Sequence, residues 1–132
     1  MIGIIDVSAA VEILLQKEKV TKFYKVMEES SFILAPDLFV SELTNTLWKY
    51  YTKKIFAENV CKQYIQLGIG YIDRFIDCKD IWQEAFAEGI NNNHSIYDMF
   101  YLVTARRYNG TLITNDSVLA GICKKNRIQL CY

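Results

Sequence analysis

The chain reads as an α/β domain in which a short parallel sheet is flanked by helices, and three observations predict this. Apolar runs of strand length, Ile2–Ile5, Phe32–Ala35 and Thr111–Thr114, are rich in branched residues, as expected of strands covered on both faces. Helical patterns separate them, and alternating strand and helix implies parallel pairing through helical crossovers. Two of the runs lead into an acid, Asp6 and Asp116, placed where open α/β sheets bind ligands.

At 132 residues, with 52% hydrophobic content and a single proline, the chain is one domain, 1–132, able to bury a proper core. Fifteen basic and fifteen acidic residues cancel, so no global charge draws the chain to nucleic acid, although a local basic rim is compatible with that balance. The four cysteines, Cys61, Cys78, Cys123 and Cys131, form no C-x-x-C pair, which argues against a zinc or dithiol motif and for reduced thiols. No apolar run reaches membrane-spanning length, and MIGIIDVS lacks the pattern of a signal peptide. The expectation is a cytoplasmic protein without membrane attachment.

Taken in order, Ile2–Ile5 is a buried strand presenting Asp6 at its carboxyl end. Ser8 opens a helix, SAAVEILLQK, and a second helix covers Val20–Met27. The run FILA is closed by Pro36, and Asp37 is placed to cap the helix DLFVSELTNTLWKYYTKK. In that helix Leu38, Phe39, Leu43 and Leu47 form an apolar stripe, with Glu42 and Asn45 at its edge. AENVCKQYIQL, Ala57–Leu67, is a further helix, stopped by Gly68 and Gly70, whose G-I-G is turn punctuation rather than a nucleotide fingerprint. Tyr71–Asp77 holds a short edge strand, Asp80–Gly89 a helix, and Asn91–Asn93 a polar loop. The helix from Ser95 carries Asp98 in its first turn on the side of Tyr101, Leu102 and Ala105, which aims the acid inward. The strand TLIT, a helix over Ser117–Lys125 and a last strand over Ile128–Cys131 complete the chain.

Asp6, Glu42, Asp98 and Asp116 thus converge on one end of the sheet. Buried like charges raise one another's pKa, and a divalent cation relieves the conflict. Oxygen-only donors favour Mg²⁺ or Mn²⁺ over zinc, and the matching chemistry is metal-assisted phosphodiester hydrolysis. Each acid has a plainer reading, as a helix cap for Asp6 and Asp116, a solvated glutamate for Glu42, and a first-turn acid favoured by the helix dipole for Asp98. Together, in order and spacing, they favour the metal site.

IIDVS, VSELTN, SIYDMFYLVTA and TLITND, at these separations, resemble the PIN-domain family, most closely the VapC-type toxins of bacterial toxin–antitoxin pairs. The resemblance spans essentially the whole chain. It implies a PIN-like three-layer sandwich and a Mg²⁺- or Mn²⁺-dependent endoribonuclease with Asp6, Glu42, Asp98 and Asp116 as catalytic and metal-binding residues. Ser8, Asn45 and Thr114 match supporting polar positions that place the acids or the attacking water. Met99 stands where relatives usually carry alanine, and Ser117, Val118 and Leu119 supply no further acid after Asp116.

Lys49, Lys53 and Lys54 continue the Glu42 helix, and Arg106 and Arg107 the Asp98 helix. If the acids form a nuclease site, these are the expected contacts to the RNA backbone, with single-stranded or looped RNA as target. His94, the only histidine, reads as a surface loop residue rather than a catalytic base. Trp48, Tyr50, Tyr51, Phe56 and Tyr64 exceed what one core face can bury and form a candidate protein-binding patch. The resemblance adds a cognate antitoxin at that helical pair and a homodimer. The competing readings are a non-catalytic PIN-like binding module and a PIN nuclease of RNA processing or DNA repair.

Overall fold

The computed structural model describes residues 1–132 as β1 (Ile2–Ile5), α1 (Val7–Leu14), α2 (Val20–Glu29), β2 (Phe32–Pro36), α3 (Leu38–Thr52), α4 (Glu58–Ile69), β3 (Arg74–Ile76), α5 (Trp82–Asn92), α6 (Ile96–Arg107), β4 (Thr111–Ile113), α7 (Ser117–Lys125) and β5 (Gln129–Cys131). The five strands form one wholly parallel sheet in the order β3-β2-β1-β4-β5. Ile4 of β1 pairs with Leu34 on one side and Leu112 on the other. Ile4, Ile5, Leu112 and Ile113 are fully buried, which explains the apolar runs; each such side chain contributes about 1.5–3 kcal/mol.

The winding decides where a site can form. The chain moves outward from β1 through β2 to β3, then returns to the far side of β1 with β4 and β5. Right-handed crossovers place the helices of these two halves on opposite faces, giving three layers. In keeping with this, α1 packs with α3 and α4, while α5 lies on α6 and α6 covers β1, β2 and β4. The direction reverses between β1 and β4, so a crevice opens outside their carboxyl ends. Asp6 and Asp116 follow those two strands.

Four local expectations are corrected. Gly68 does not stop α4 but lies inside it; a Cβ there would stand 2.6 Å from Leu43 Cδ2 and 3.2 Å from Leu14 Cδ1, so the glycine lets α4 approach α3 and α1. Asp37 makes no cap bond to α3; its Oδ1 accepts from the Cys78 amide at 3.1 Å, joining the exit of β2 to that of β3. The 80–89 helix is shifted, since Cys78–Asp80 forms a 3₁₀ turn and α5 starts at Trp82. It also runs through Asn91 and Asn92, ending where Asn93 turns left-handed (φ 47°), a conformation asparagine tolerates better than most residues.

Candidate active site

The crevice at the switch point is a cleft of about 440 Å³, and Asp6, Glu42, Asp98 and Asp116 all line it. Each arrives from a different element. Asp6 leaves β1 and caps α1, accepting from the Ala9 amide at 2.9 Å. Ser8 Oγ donates to Asp6 Oδ1 at 2.6 Å, and Thr114 Oγ1 donates to Oδ2. The same hydroxyl oxygens accept from the chain beyond β4: Ser8 from the Asn115 amide at 2.8 Å, Thr114 from the Asp116 amide at 3.0 Å. Ser8 and Thr114 therefore join the ends of β1 and β4 and fix Asp6 by both oxygens.

Asp116 is the N-cap of α7, its Oδ1 accepting from Val118 at 2.8 Å and Leu119 at 3.0 Å. The capping role and the position in the cleft coexist. Glu42 reaches the cleft from α3, where Tyr101 of α6 donates its hydroxyl to Oε1 at 2.8 Å. The sequence placed Tyr101 among packing residues; its ring is indeed buried, but its hydroxyl is a partner of the site. Asp98, from the first turn of α6, accepts on Oδ2 from His94 Nε2 at 2.7 Å. His94 is thus not a free loop side chain, being only 22% exposed against Asp98.

Electrostatics follow from this crowding. Burial pushes the Asp6 carboxyl up to about 6, against the opposing hydrogen bonds of Ser8, Thr114 and Ala9, with the Asp98 charge adding to the rise. Burial likewise pushes Glu42 up to about 7; the Tyr101 hydroxyl opposes it, and the charges of Asp98 and Asp6 reinforce it. Tyr101 is held well above the ordinary phenol range by burial and by Glu42. The donors are hard oxygens, and their mutual repulsion is what a divalent cation would relieve. No three His, Cys, Asp or Glu side chains close around a single point, so a cation here would complete its shell with water, as Mg²⁺ does. The residues fit such an ion.

The other anticipated residues are distributed unevenly. Asn45 and Lys49 line the cleft on successive turns of α3, together with Lys17 and Asn115, which the sequence gave no reason to single out. Lys53 and Lys54 follow the last turn of α3 and do not line it. Arg106 and Arg107 end α6 and face α5: Arg106 binds Glu88 at 2.9 Å, and Arg107 Nε binds Glu84 at 2.7 Å. Of the aromatic group, Tyr50, Phe56 and Tyr64 stack with ring centroids 5.4 and 5.3 Å apart, half-buried between α3 and α4, while Trp48 and Tyr51 stay exposed. No helix is long and apolar enough to cross a membrane.

Comparison with known proteins agrees with this architecture. The chain is 21% identical over 119 residues to "Ribonuclease VapC3" of Pyrobaculum aerophilum, an alignment covering 89% of this chain and 91% of that protein. The crystal structure of PAE2754 from the same organism superposes with a TM-score of 0.70 at 18% identity, over 91% of this chain and 83% of that one. A chain of VapBC2 from Rickettsia felis, solved bound to a promoter DNA fragment, superposes with a TM-score of 0.66 at 16% identity, over 99% and 98%. Residues 4–125 match the family model described as PIN domain, from the middle of β1 to the end of α7, and the chain belongs to the PIN-domain family.

Proposed function

We propose that this chain is a divalent-metal-dependent endoribonuclease and the toxin of a type II toxin–antitoxin pair. The observation that carries the reading is the meeting of Asp6, Glu42, Asp98 and Asp116 in one cleft at the switch point of the sheet. Family membership supports it, as do a relative named as a ribonuclease and a structural neighbour solved as a VapBC complex.

Asp6, Glu42, Asp98 and Asp116 would hold Mg²⁺ or Mn²⁺. The ion would supply an activated water and neutralise charge on the leaving oxygen of a phosphodiester. Ser8 and Thr114 keep the Asp6 carboxylate in one orientation, and Tyr101 does so for Glu42. Asn45, exposed on the cleft wall one turn from Glu42, is placed to orient water. Lys49 is the first contact for substrate phosphate, and Lys53 and Lys54, the two residues after α3, are contacts for RNA beyond the cleft. The exposed Trp48 and Tyr51 beside the aromatic stack form the face assigned to the antitoxin.

The test is cleavage of a mixed RNA pool by the purified protein with Mg²⁺ or Mn²⁺, against an EDTA control and the variant Asp98→Asn. Asp98 is half-buried at the cleft, so asparagine removes the charge while keeping the shape of a folded site. Metal-dependent cutting that disappears in the variant is expected. Equal cutting by both proteins would overturn the placement of the chemistry at these acids.

A further inference from the structure

Three of the four cleft acids share a pattern. Each has one carboxylate oxygen engaged by a donor belonging to the scaffold: Glu42 Oε1 by the Tyr101 hydroxyl, Asp116 Oδ1 by the first-turn amides of α7, and Asp98 Oδ2 by His94 Nε2. The second oxygen of each meets no protein donor. Asp6 differs, with both oxygens bonded. A carboxylate fixed at one oxygen loses its rotational freedom before it binds, and fixing ligating carboxylates in this way is what outer-shell groups do in metal sites.

The backbone delivers the His94 ring. Asn93 takes the left-handed conformation that ends α5, its amide bonds Ile90 O at 3.3 Å, and the His94 amide bonds Gly89 O at 3.1 Å. This double closure is a Schellman arrangement, with His94 as the second residue past the helix. Gly89 eases the close approach, since a Cβ there would lie 3.2 Å from both the His94 carbonyl oxygen and Ile96 Cγ1, a tight contact. Ser95 then leads into α6, so the imidazole stands over the first turn, where Asp98 sits. Both ends of the bond rest on helices that pack against each other. An incidental surface pair would involve long flexible side chains; here the two are short, and only 22% and 27% exposed.

We infer that His94 is a positioning residue for Asp98, donating to Oδ2 so that Oδ1 is presented to a divalent cation in the cleft. The inference rests on the metal-dependent reading above and adds to it a residue outside the four acids. It makes His94 a hydrogen-bond donor to a ligand, rather than a base that takes a proton from water.

The test reads metal binding in the absence of RNA. Mn²⁺ is titrated into wild type, His94→Ala, His94→Gln and Asp98→Asn while free Mn²⁺ is followed by electron paramagnetic resonance, and thermal melts confirm that each variant is folded. Glutamine places an N–H donor at a reach close to that of imidazole Nε2. His94→Ala is expected to weaken Mn²⁺ binding by about 10- to 100-fold, and His94→Gln to restore most of it. Wild-type affinity in His94→Ala, with affinity lost in Asp98→Asn, would overturn the role of His94 and leave the metal site standing. Loss in both His94 variants alike would also overturn it, since a donor alone would then not suffice. Wild-type affinity in Asp98→Asn would instead overturn the metal reading itself.

Discussion

Asp6 is the residue on which opposing demands meet. Three hydrogen bonds favour its ionised form, yet burial dominates and its carboxyl rises to about 6. An acid raised in the folded state binds more protons there than in the unfolded chain, so its contribution to stability is greatest below the unfolded value, near 4, and is lost as pH climbs through the folded one. Glu42, raised to about 7, acts in the same direction, reduced by its partial exposure to solvent. Metal-free protein is therefore expected to be more stable at pH 5 than at pH 8 by about 2 kcal/mol, measured by denaturant unfolding with EDTA. A stability that rises with pH over that range would contradict the electrostatics. Tyr101→Phe removes the hydroxyl from Glu42 Oε1 without changing the buried ring, and is expected to reduce metal-dependent cleavage with a stability change of about 1 kcal/mol. At this scale the sequence showed the four acids, because strand ends and helix starts can be read locally. It hid Tyr101 and His94. A tyrosine in an apolar stripe looks like packing when its partner is 59 residues away, and a histidine in an asparagine-rich loop looks solvated until the helix end folds it back.

Among the elements, glycines set how closely neighbours approach. A Cβ on Gly110, just before β4, would stand 2.2 Å from Ile4 Cδ1 and 2.9 Å from the Ile2 carbonyl oxygen, so any side chain meets the backbone of β1. On Gly68 it would meet the ends of Leu43 and Leu14, which can adjust in part. Gly110→Ala is expected to cost about 2–3 kcal/mol and Gly68→Ala less, as read from chemical denaturation. The reverse order would mean that β4 can shift away from β1 more easily than this packing allows. Element types were legible, since the strand and helix periods are local properties. Several boundaries were not: a glycine that ends a helix and a glycine that lets helices touch are the same letter, and only Leu43 and Leu14 across the contact distinguish them.

For the whole molecule, the zero net charge hides how the bases are shared out. The sequence grouped Lys49, Lys53, Lys54, Arg106 and Arg107 as a basic rim, but helix geometry separates them: Arg106 lies eight residues along α6 from Asp98, about 12 Å, and joins Arg107 in ion pairs with α5. Lys49 alone of the five lines the cleft. Lys49→Ala is expected to lower RNA affinity and to reduce the slope of log affinity against log salt by about 1, whereas Arg107→Ala leaves the slope unchanged. Equal slopes for wild type and Lys49→Ala would remove this lysine from the RNA path. The parallel sheet could be anticipated from alternating elements. The strand order that brings Asp6 and Asp116 side by side could not, because it depends on the return of the chain across β1 after three strands.

The most direct measurement is anomalous diffraction from crystals soaked in Mn²⁺. A peak is predicted in the cleft within about 2.5 Å of a carboxylate oxygen of Asp98, with water completing most of the shell and bridging the ion to the other acids. A cleft without a peak at millimolar Mn²⁺, or an ion bound only elsewhere on the molecule, would contradict it.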